Sequence, residues 1–274
     1  MTTRAADPAT RLSALRLVSF IPAERDAVHV GLLSPDARQV IDLAGLGIAD
    51  ALEALEQLDM LRQTAGAIVH GAARTAFDTH AVHLVAPVPL VRSVVQVSDA
   101  DAPLFADPAT LHGPGGHLDR DAAGAARAGL AAVVGLTLDA RSAPDDATLD
   151  RALIGTVLVI GWPQPGHDGL PELRAGAVGP YLAVPRRRPD TLILSHVPPL
   201  APGAAADSKV RTDAPGDAPF FALARRALAS HTLRPGDLLT IFPLSGEAVP
   251  QPVLSGSWLR LCAPGLGTLS LAVR

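Results

Sequence analysis

The sequence has little of several residue types, and each shortage excludes a class of protein. Its 274 residues include one cysteine, Cys262, so neither a disulfide framework nor a cysteine-rich metal site is available. They also include one lysine, Lys209, which limits any chemistry that requires a lysine to that position. Aromatic residues make up 3% of the chain and the formal net charge is -4, which leaves few stacking platforms and no basic field for a nucleic acid. We therefore expect no nucleic-acid partner.

Long apolar runs and an N-terminal targeting segment are also missing. No run reaches the roughly 18 apolar residues that a membrane-spanning helix needs. The first 13 residues contain Arg4 and Arg11 but no apolar core, which argues against a secretory signal. With 48% hydrophobic and 18% charged residues, the composition is that of a globular protein. The expectation is a cytoplasmic protein that does not contact a membrane.

The first 86 residues predict a small α+β domain. A strand is predicted over Leu15–Phe20, and a hairpin is predicted around the turn Ser34-Pro35-Asp36-Ala37. Apolar residues at helical spacing predict a helix over 48–61, with a second helix over 68–77. Pro87-Val88-Pro89 follows as a linker that no helix crosses. We therefore predict two domains, 1–86 and 87–274.

The second predicted domain is larger and rich in strands. Its clearest helix covers 220–229, with Asp217 near its start. The predicted fold class is α+β with a predominance of strands. Strands are predicted over residues 93–97, 128–138, 154–162, 177–184, 191–197, 238–242, 258–262 and 268–273.

Several segments resemble, in the same order, those of the fumarylacetoacetate hydrolase superfamily. The resemblance rests on Val85-Ala86-Pro87-Val88-Pro89, Leu104-Phe105-Ala106-Asp107-Pro108, Leu130-Ala131-Ala132-Val133-Val134-Gly135, Leu233-Arg234-Pro235-Gly236-Asp237 and Gly265-Leu266-Gly267. Their order and spacing over nearly the whole chain are more specific than any one segment. The resemblance implies a fumarylacetoacetate hydrolase-type fold, a mixed β-sandwich or roll with a small N-terminal domain, in a homodimer.

The resemblance also implies a catalytic site for 2-oxo or diketo acids that holds Mg²⁺ or Mn²⁺. The family's metal ligands are a Glu-x-Glu pair and an aspartate on neighbouring strands, as a hard cation requires. The pair corresponds here to Arg127 and Gly129, and the aspartate to Ile160 in an ungapped placement. No glutamate lies between Glu56 and Glu172. We therefore predict that this chain diverges from the family by loss of the metal site, and we expect no cofactor.

Other catalytic parts implied by the resemblance are replaced as well. The loop with a His-x-x-Glu pair is reduced to residues 98–103, and the family lysine corresponds to Asp107. A second lysine, expected before Gly179-Pro180, is absent. The Gly-Thr-Pro turn that binds a carboxylate corresponds to Ile241-Phe242-Pro243, which removes both space and a hydroxyl donor.

The remaining candidate residues each have a functional and a structural interpretation. Arg127 could polarise a carbonyl in place of the metal, or it could be an outward-facing or ion-paired strand residue. His112, His117, Asp119 and Asp121 flank the Gly113-Pro114-Gly115 turn, where they could perform acid-base chemistry near neutral pH or form a polar surface loop. His167-Asp168 is a further candidate pair. We interpret Arg186-Arg187-Arg188 as a solvated loop, with an anion or partner site as the alternative, and Cys262 as a core thiol.

Three functional hypotheses follow. The first is a degenerate family member without metal-dependent catalysis, a pseudoenzyme that binds a ligand or has a structural or regulatory role. The second is a divergent, metal-independent enzyme that acts on a 2-oxo acid or related carbonyl compound. The third is an ordinary family hydrolase or lyase whose metal ligands lie at positions other than those assigned above. The ligand or substrate would be a small carbonyl or carboxylate compound. A cavity lined by Arg127 and the histidines favours an enzyme, whereas one filled by Ile160, Trp162 or Phe242 favours a pseudoenzyme.

Overall fold

The computed structural model describes residues 14–71, 75–87, 94–97, 103–106, 111–119, 126–165, 171–199, 208–244 and 253–274. Within these residues the chain forms two sheets and four α-helices. The four helices are α1 Ala51–Glu56, α2 Leu58–His70, α3 Asp146–Ala152 and α4 Asp217–Leu228. None of the helices in these ranges is long and apolar enough to cross a membrane.

A large mixed sheet contains twelve of the described strands. The central order is β4-β3-β2-β1-β12-β11-β10-β15-β6-β7, with β5 also pairing with β1 and β8 also pairing with β12. The strands are β1 Leu15–Pro22, β2 His29–Leu33, β3 Gln39–Asp42, β4 Ala76–Asp78, β5 Val82–Val85, β6 Val94–Val97, β7 Pro103–Ala106, β8 Leu111–His112, β10 Arg127–Val134, β11 Leu153–Pro165, β12 Pro171–Val184 and β15 Leu238–Leu244.

A second, five-stranded sheet has the order β14-β13-β16-β17-β9. Its strands are β9 His117–Leu118, β13 Thr191–Val197, β14 Ser208–Asp213, β16 Trp258–Ala263 and β17 Gly267–Val273. Alternation along β16 turns Leu259, Leu261 and Ala263 inward, whereas Cys262 lies partly exposed on the other face. The interpretation of Cys262 as a core thiol is therefore wrong.

Two apolar clusters lie on the two faces of the large sheet. The inter-sheet core includes Phe20, Leu130, Leu158, Leu194 and Leu261, and it joins the large sheet to the small sheet and to α4. The helix-side core covers the other face with α1 and α2, and it includes Leu17, Leu32, Leu61, Val133 and Val157. Because β1 pairs with β12, the strands of the N-terminal segment extend the same sheet as the rest of the chain.

The N-terminal helical segment differs from the sequence prediction in two ways. Asp50 caps α1 by accepting hydrogen bonds from Leu52 N and Glu53 N, at 2.8 and 3.0 Å, and the single predicted helix is divided at Gln57. The second predicted helix, over 68–77, is confirmed only at 68–70, which belong to α2, and is wrong at 76–77; residues 72–74 lie outside the described residues. Residues 76–78 instead form β4 against β3, because this pairing brings the partly buried Phe77 against the inter-sheet core.

Candidate functional site

The positions that the resemblance assigns to the glutamate pair lie on β10, on the helix-side face of the large sheet. Side chains alternate along a strand, so Arg127 and Gly129 share the face of Ala131 and Val133. Arg127 is partly buried and Gly129 is buried. The structure therefore brings these two positions to one face, as a ligand pair would require.

Gly129 lies against the backbone of β15. The pairing of β10 with β15 changes register at this point, because Ala128 pairs with Leu244 and Leu130 pairs with Ile241. A Cβ atom at position 129 would overlap the Ile241 carbonyl oxygen and lie 2.9 Å from Phe242 Cα. The β-bulge thus fills, with backbone atoms, the space that a side chain at position 129 would need.

The ungapped placement of the family aspartate at Ile160 does not bring that position to the same face. Ile160 pairs with Ala128 and is buried in the inter-sheet core. Directly opposed residues of two antiparallel strands share a face, so Arg127 is matched by Gly161 and Gly129 by Val159. Neither Val159 nor Gly161 offers a side-chain oxygen, and Ile160 does not fill the space beside Gly129.

The segment that replaces the carboxylate-binding turn is part of β15. Phe242 is partly buried and packs against the helix-side core. Thr240 is buried, and its Oγ1 donates a hydrogen bond to Val95 O at 2.9 Å, so this hydroxyl is used within the fold. The Trp162 side chain lies outside the described residues.

The histidine turn connects the two sheets. His112 pairs with Ala177 in the large sheet and His117 with Ala272 in the small sheet, and their rings stack with centroids 6.4 Å apart. Both histidines and Asp119 are exposed. Gly113 is required at this turn, because a Cβ atom there would overlap the backbone of Val85.

The structure does not bring the histidines together with Arg127. His112 lies on β8 and Arg127 on β10, with β12 and β11 between them. Three strand spacings correspond to about 14 Å. The pairing of His112 with Ala177 places it in the row of Ile160 and Ala128, so it also lies toward the opposite face of the sheet. Asp121, His167 and Asp168 lie outside the described residues.

Among the cavities in the described part of the chain, two are well formed, and the residues that line these two include neither Arg127 nor a histidine. The larger cavity, about 410 Å³, lies between β3 and α2 and is lined mainly by apolar residues, with Asp42 and Thr64 among its polar ones. The Asp42 carboxylate is satisfied by His29 Nδ1 at 3.0 Å and by Ala44 N at 2.9 Å. The smaller cavity, about 220 Å³, is lined by two arginines, Arg16 and Arg187.

The three consecutive arginines have three different environments. The Arg186 side chain is buried, with its Nη2 atom 2.7 Å from Asp150 Oδ1, and Arg188 is exposed but contacts the same carboxylate at 3.0 Å. Arg187 lines the smaller cavity. The interpretation of this run as a solvated loop is therefore wrong for Arg186. Its carboxylate partners come from helices distant in sequence, and no local pattern indicates them.

Arg16, which lines the smaller cavity, lies over the ring of Tyr181, and the pKa of this tyrosine can be measured. Burial raises the pKa of its phenol, although the positive charges of Arg16 and Arg187 act in the opposite direction. We expect tyrosinate absorbance of the folded protein to appear at a higher pH than in urea, where the ordinary pKa of 10.0 applies. Because Tyr181 is the only tyrosine, the absorbance reports this group alone.

The raised pKa of Tyr181 makes the free energy of unfolding depend on pH in the alkaline range. The neutral phenol is favoured in the folded state, so its contribution to the free energy of unfolding is complete below pH 10 and is lost as the pH rises through the folded-state pKa. A Tyr181→Phe variant should lack this alkaline loss. Equal titration of the folded and urea-unfolded protein would contradict the prediction.

Solved structures of several enzymes share this fold. Maleylpyruvate hydrolase from Sphingobium sp. SYK-6 is similar with a TM-score of 0.69 and 19% identity, over 94% of this chain and 98% of that chain. That hydrolase has also been solved in complex with manganese(II) ion and pyruvate.

Two mycobacterial structures are similar over the same shares of each chain. They are 5-carboxymethyl-2-hydroxymuconate delta-isomerase from Mycobacterium smegmatis, with a TM-score of 0.61 and 18% identity, and 2-hydroxyhepta-2,4-diene-1,7-dioate isomerase from Mycobacterium marinum, with 0.61 and 20%. No protein-family model and no curated protein matches the sequence. The structural likenesses confirm the predicted fold.

Proposed function

We propose that this chain is a divergent member of the fumarylacetoacetate hydrolase superfamily that has lost metal-dependent catalysis and acts as a ligand-binding, structural or regulatory protein. The observation that carries the proposal is the close contact at Gly129. A carboxylate ligand at this position needs a Cβ atom, and that atom would overlap the Ile241 carbonyl oxygen. We extend the proposal to the homodimer that the family resemblance implies.

The chemistry of the neighbouring positions supports the same proposal. Mg²⁺ and Mn²⁺ prefer oxygen ligands, whereas Arg127, Gly129, Val159 and Gly161 supply no side-chain oxygen on this face. Arg127 adds a permanent positive charge, and two like charges about 4 Å apart repel by several kcal/mol at a protein-like dielectric. These residues do not fit a hard divalent cation, and we derive no catalytic step through one.

The alternative is a metal-independent enzyme that acts on a 2-oxo acid or a related carbonyl compound. The observation that favours it is the position of Arg127 on the same face as Gly129, where a guanidinium could bind a carboxylate or polarise a carbonyl oxygen. This alternative predicts that small oxo acids bind without metal and that Arg127 is required for binding.

Titration calorimetry of metal-stripped protein tests the proposal. We expect Mn²⁺ and Mg²⁺ at micromolar to millimolar concentrations, alone or with oxalate or pyruvate, to give no heat beyond that of the same titration without protein, because the ligand oxygens are absent. Binding of Mn²⁺ that is strengthened by oxalate would contradict the loss of the metal site and favour an ordinary family hydrolase or lyase.

A second titration, with pyruvate in the presence of EDTA, distinguishes the metal-independent enzyme from the degenerate protein. Pyruvate binding that is lost in Arg127→Gln and kept in Arg38→Gln would favour the metal-independent enzyme. Arg38 is the matched control because its side chain is 85% exposed and lies in the β2–β3 turn. Absence of pyruvate binding in the unmodified protein would favour the degenerate protein.

A further inference from the structure

The smaller cavity, which we name the arginine cavity, lies where β1 and the turn after β2 meet the end of β12. Arg16 pairs with Ala183 across β1 and β12, which fixes the position of its backbone beside the cavity. The volume is about 220 Å³. The walls are formed by Ala14, Arg16, Leu33, Pro35, Ala183, Arg187 and Gly265. The cavity is thus small, and its only charged lining residues are two arginines.

Both guanidinium groups carry a permanent positive charge without a carboxylate partner in the described part of the chain. Arg16 Nη1 donates a long hydrogen bond to Pro35 O, at 3.4 Å, which leaves its charge unneutralised. Arg186 and Arg188, on either side of Arg187, take the nearby carboxylates of Asp150 and Asp217. Two cations that face one cavity without a counter-charge favour an anion between them.

The Arg16 guanidinium and the backbone of the exposed Arg187 are held in place by contacts within the fold. The Arg16 guanidinium stacks over the ring of Tyr181, 5.4 Å from its centroid, and Tyr181 is 6% exposed. The backbone of Arg187 is tied to β11, because Arg187 O accepts a hydrogen bond from Thr156 Oγ1 at 2.9 Å. A pre-organised donor such as the Arg16 guanidinium loses less entropy when a ligand binds, which strengthens binding.

We propose that the arginine cavity binds a small oxyanion that carries two negative charges. The planar fork of an arginine matches the oxygens of a phosphate or a carboxylate in a bidentate pair. Two such forks suit a dianion, and Leu33, Pro35 and Ala183 complete the lining without adding a negative charge. The volume is smaller than the cavities of about 300–1,000 Å³ that hold drug-sized ligands, so the ligand is small.

Titration with sulfate, phosphate and oxalate, at constant ionic strength and with EDTA present, tests this site. We expect saturable binding of the unmodified protein, weakened about 10- to 100-fold in Kd by Arg187→Gln and by Arg16→Gln, since each variant loses a charge-assisted hydrogen-bond donor. Arg38→Gln removes the same charge outside the cavity and should bind like the unmodified protein. Comparison of the Kd values for sulfate and phosphate with the Kd for oxalate distinguishes a phosphoryl-type ligand from a dicarboxylate.

The phenol of Tyr181 gives a second readout that does not depend on binding heat. The positive charges of Arg16 and Arg187 lower its pKa, so an anion that neutralises them should raise the pKa further. Tyrosinate absorbance should therefore shift to higher pH in sulfate than in chloride at equal ionic strength. This shift should be absent in Arg187→Gln, which remains informative even where Arg16→Gln does not fold.

Two results would overturn the proposal. One is no saturable binding by the unmodified protein at tens of millimolar anion, and the other is an equal loss of binding in Arg38→Gln and Arg187→Gln. The arginine cavity is separate from the position of Arg127, and EDTA excludes metal. Oxalate binding that depends on Arg187 and not on Arg127 therefore supports this site, whatever the outcome for metal-dependent catalysis.

Discussion

A Gly129→Ala variant is expected to lose about 2–4 kcal/mol of its free energy of unfolding, measured by urea denaturation. The added Cβ atom would overlap the Ile241 carbonyl oxygen, and this atom cannot rotate away as a side chain would. Ile241 is held by its pairing with Leu130, so relief requires a shift of β15 against β10. Overpacking in a core commonly costs about 1–3 kcal/mol and occasionally more, and a backbone neighbour that cannot rotate away raises the cost here to about 2–4 kcal/mol.

Gly45→Ala is the matched control for this experiment. Nothing lies within 4 Å of a Cβ atom added at Gly45, so the same methyl group should change the free energy of unfolding by less than about 0.5 kcal/mol. A Gly129→Ala variant as stable as Gly45→Ala would mean that side-chain space exists at position 129. The steric argument against a carboxylate ligand there would then fail, whereas the charge argument from Arg127 would stand.

The fold could be predicted from the sequence because its strands carry local signals. Runs such as 154–162 and 191–197 are rich in β-branched and leucine residues, and they correspond to β11 and β13 in the structure. The segment 76–78 shows where this fails. Weak local spacing predicts a helix as far as Phe77, but pairing with β3 and the partial burial of Phe77 decide the conformation.

The site was less accessible to sequence reasoning, because it depends on register. A shift of one residue along a strand moves a side chain to the opposite face, and the placement at Ile160 instead of Val159 or Gly161 is such a shift. The bulge that fills the space at Gly129 depends on Ile241 and Phe242, more than a hundred residues away. The sequence shows which residues occupy the implied ligand positions, but it does not show how much space surrounds them.

Substitution of Arg186 is expected to have the second large effect on the free energy of unfolding. We expect Arg186→Ala to lower the free energy of unfolding by about 3–5 kcal/mol, the range for removing one partner of a buried ion pair. Its side chain is 6% exposed, and Nη2 lies 2.7 Å from Asp150 Oδ1. Nη1 lies 2.8 Å from Asp217 Oδ1, close enough for an ion pair although its geometry is not that of a hydrogen bond. The guanidinium also stacks on Phe221, 5.4 Å from the ring centroid.

The neighbouring arginine provides a control that shares the same carboxylates. Arg188 contacts Asp150 at 3.0 Å and Asp217 at 2.8 Å, but its side chain is 58% exposed. Exposed ion pairs contribute about 0–1 kcal/mol, so Arg188→Ala should have a small effect. Because the two variants remove the same charge from the same acids, the difference between their urea midpoints measures the contribution of burial, including the stacking of Arg186 on Phe221.

Arg186 therefore has a structural role that also bears on the arginine cavity. Its two carboxylates belong to α3 and α4, so the ion pairs join both helices to the segment that follows β12. The next residue, Arg187, depends on this segment for its position. Arg186→Ala should accordingly weaken sulfate binding as well as stability, whereas Arg188→Ala should change neither by much. Equal effects of the two variants on the urea midpoint would show that burial of Arg186 does not stabilise the fold.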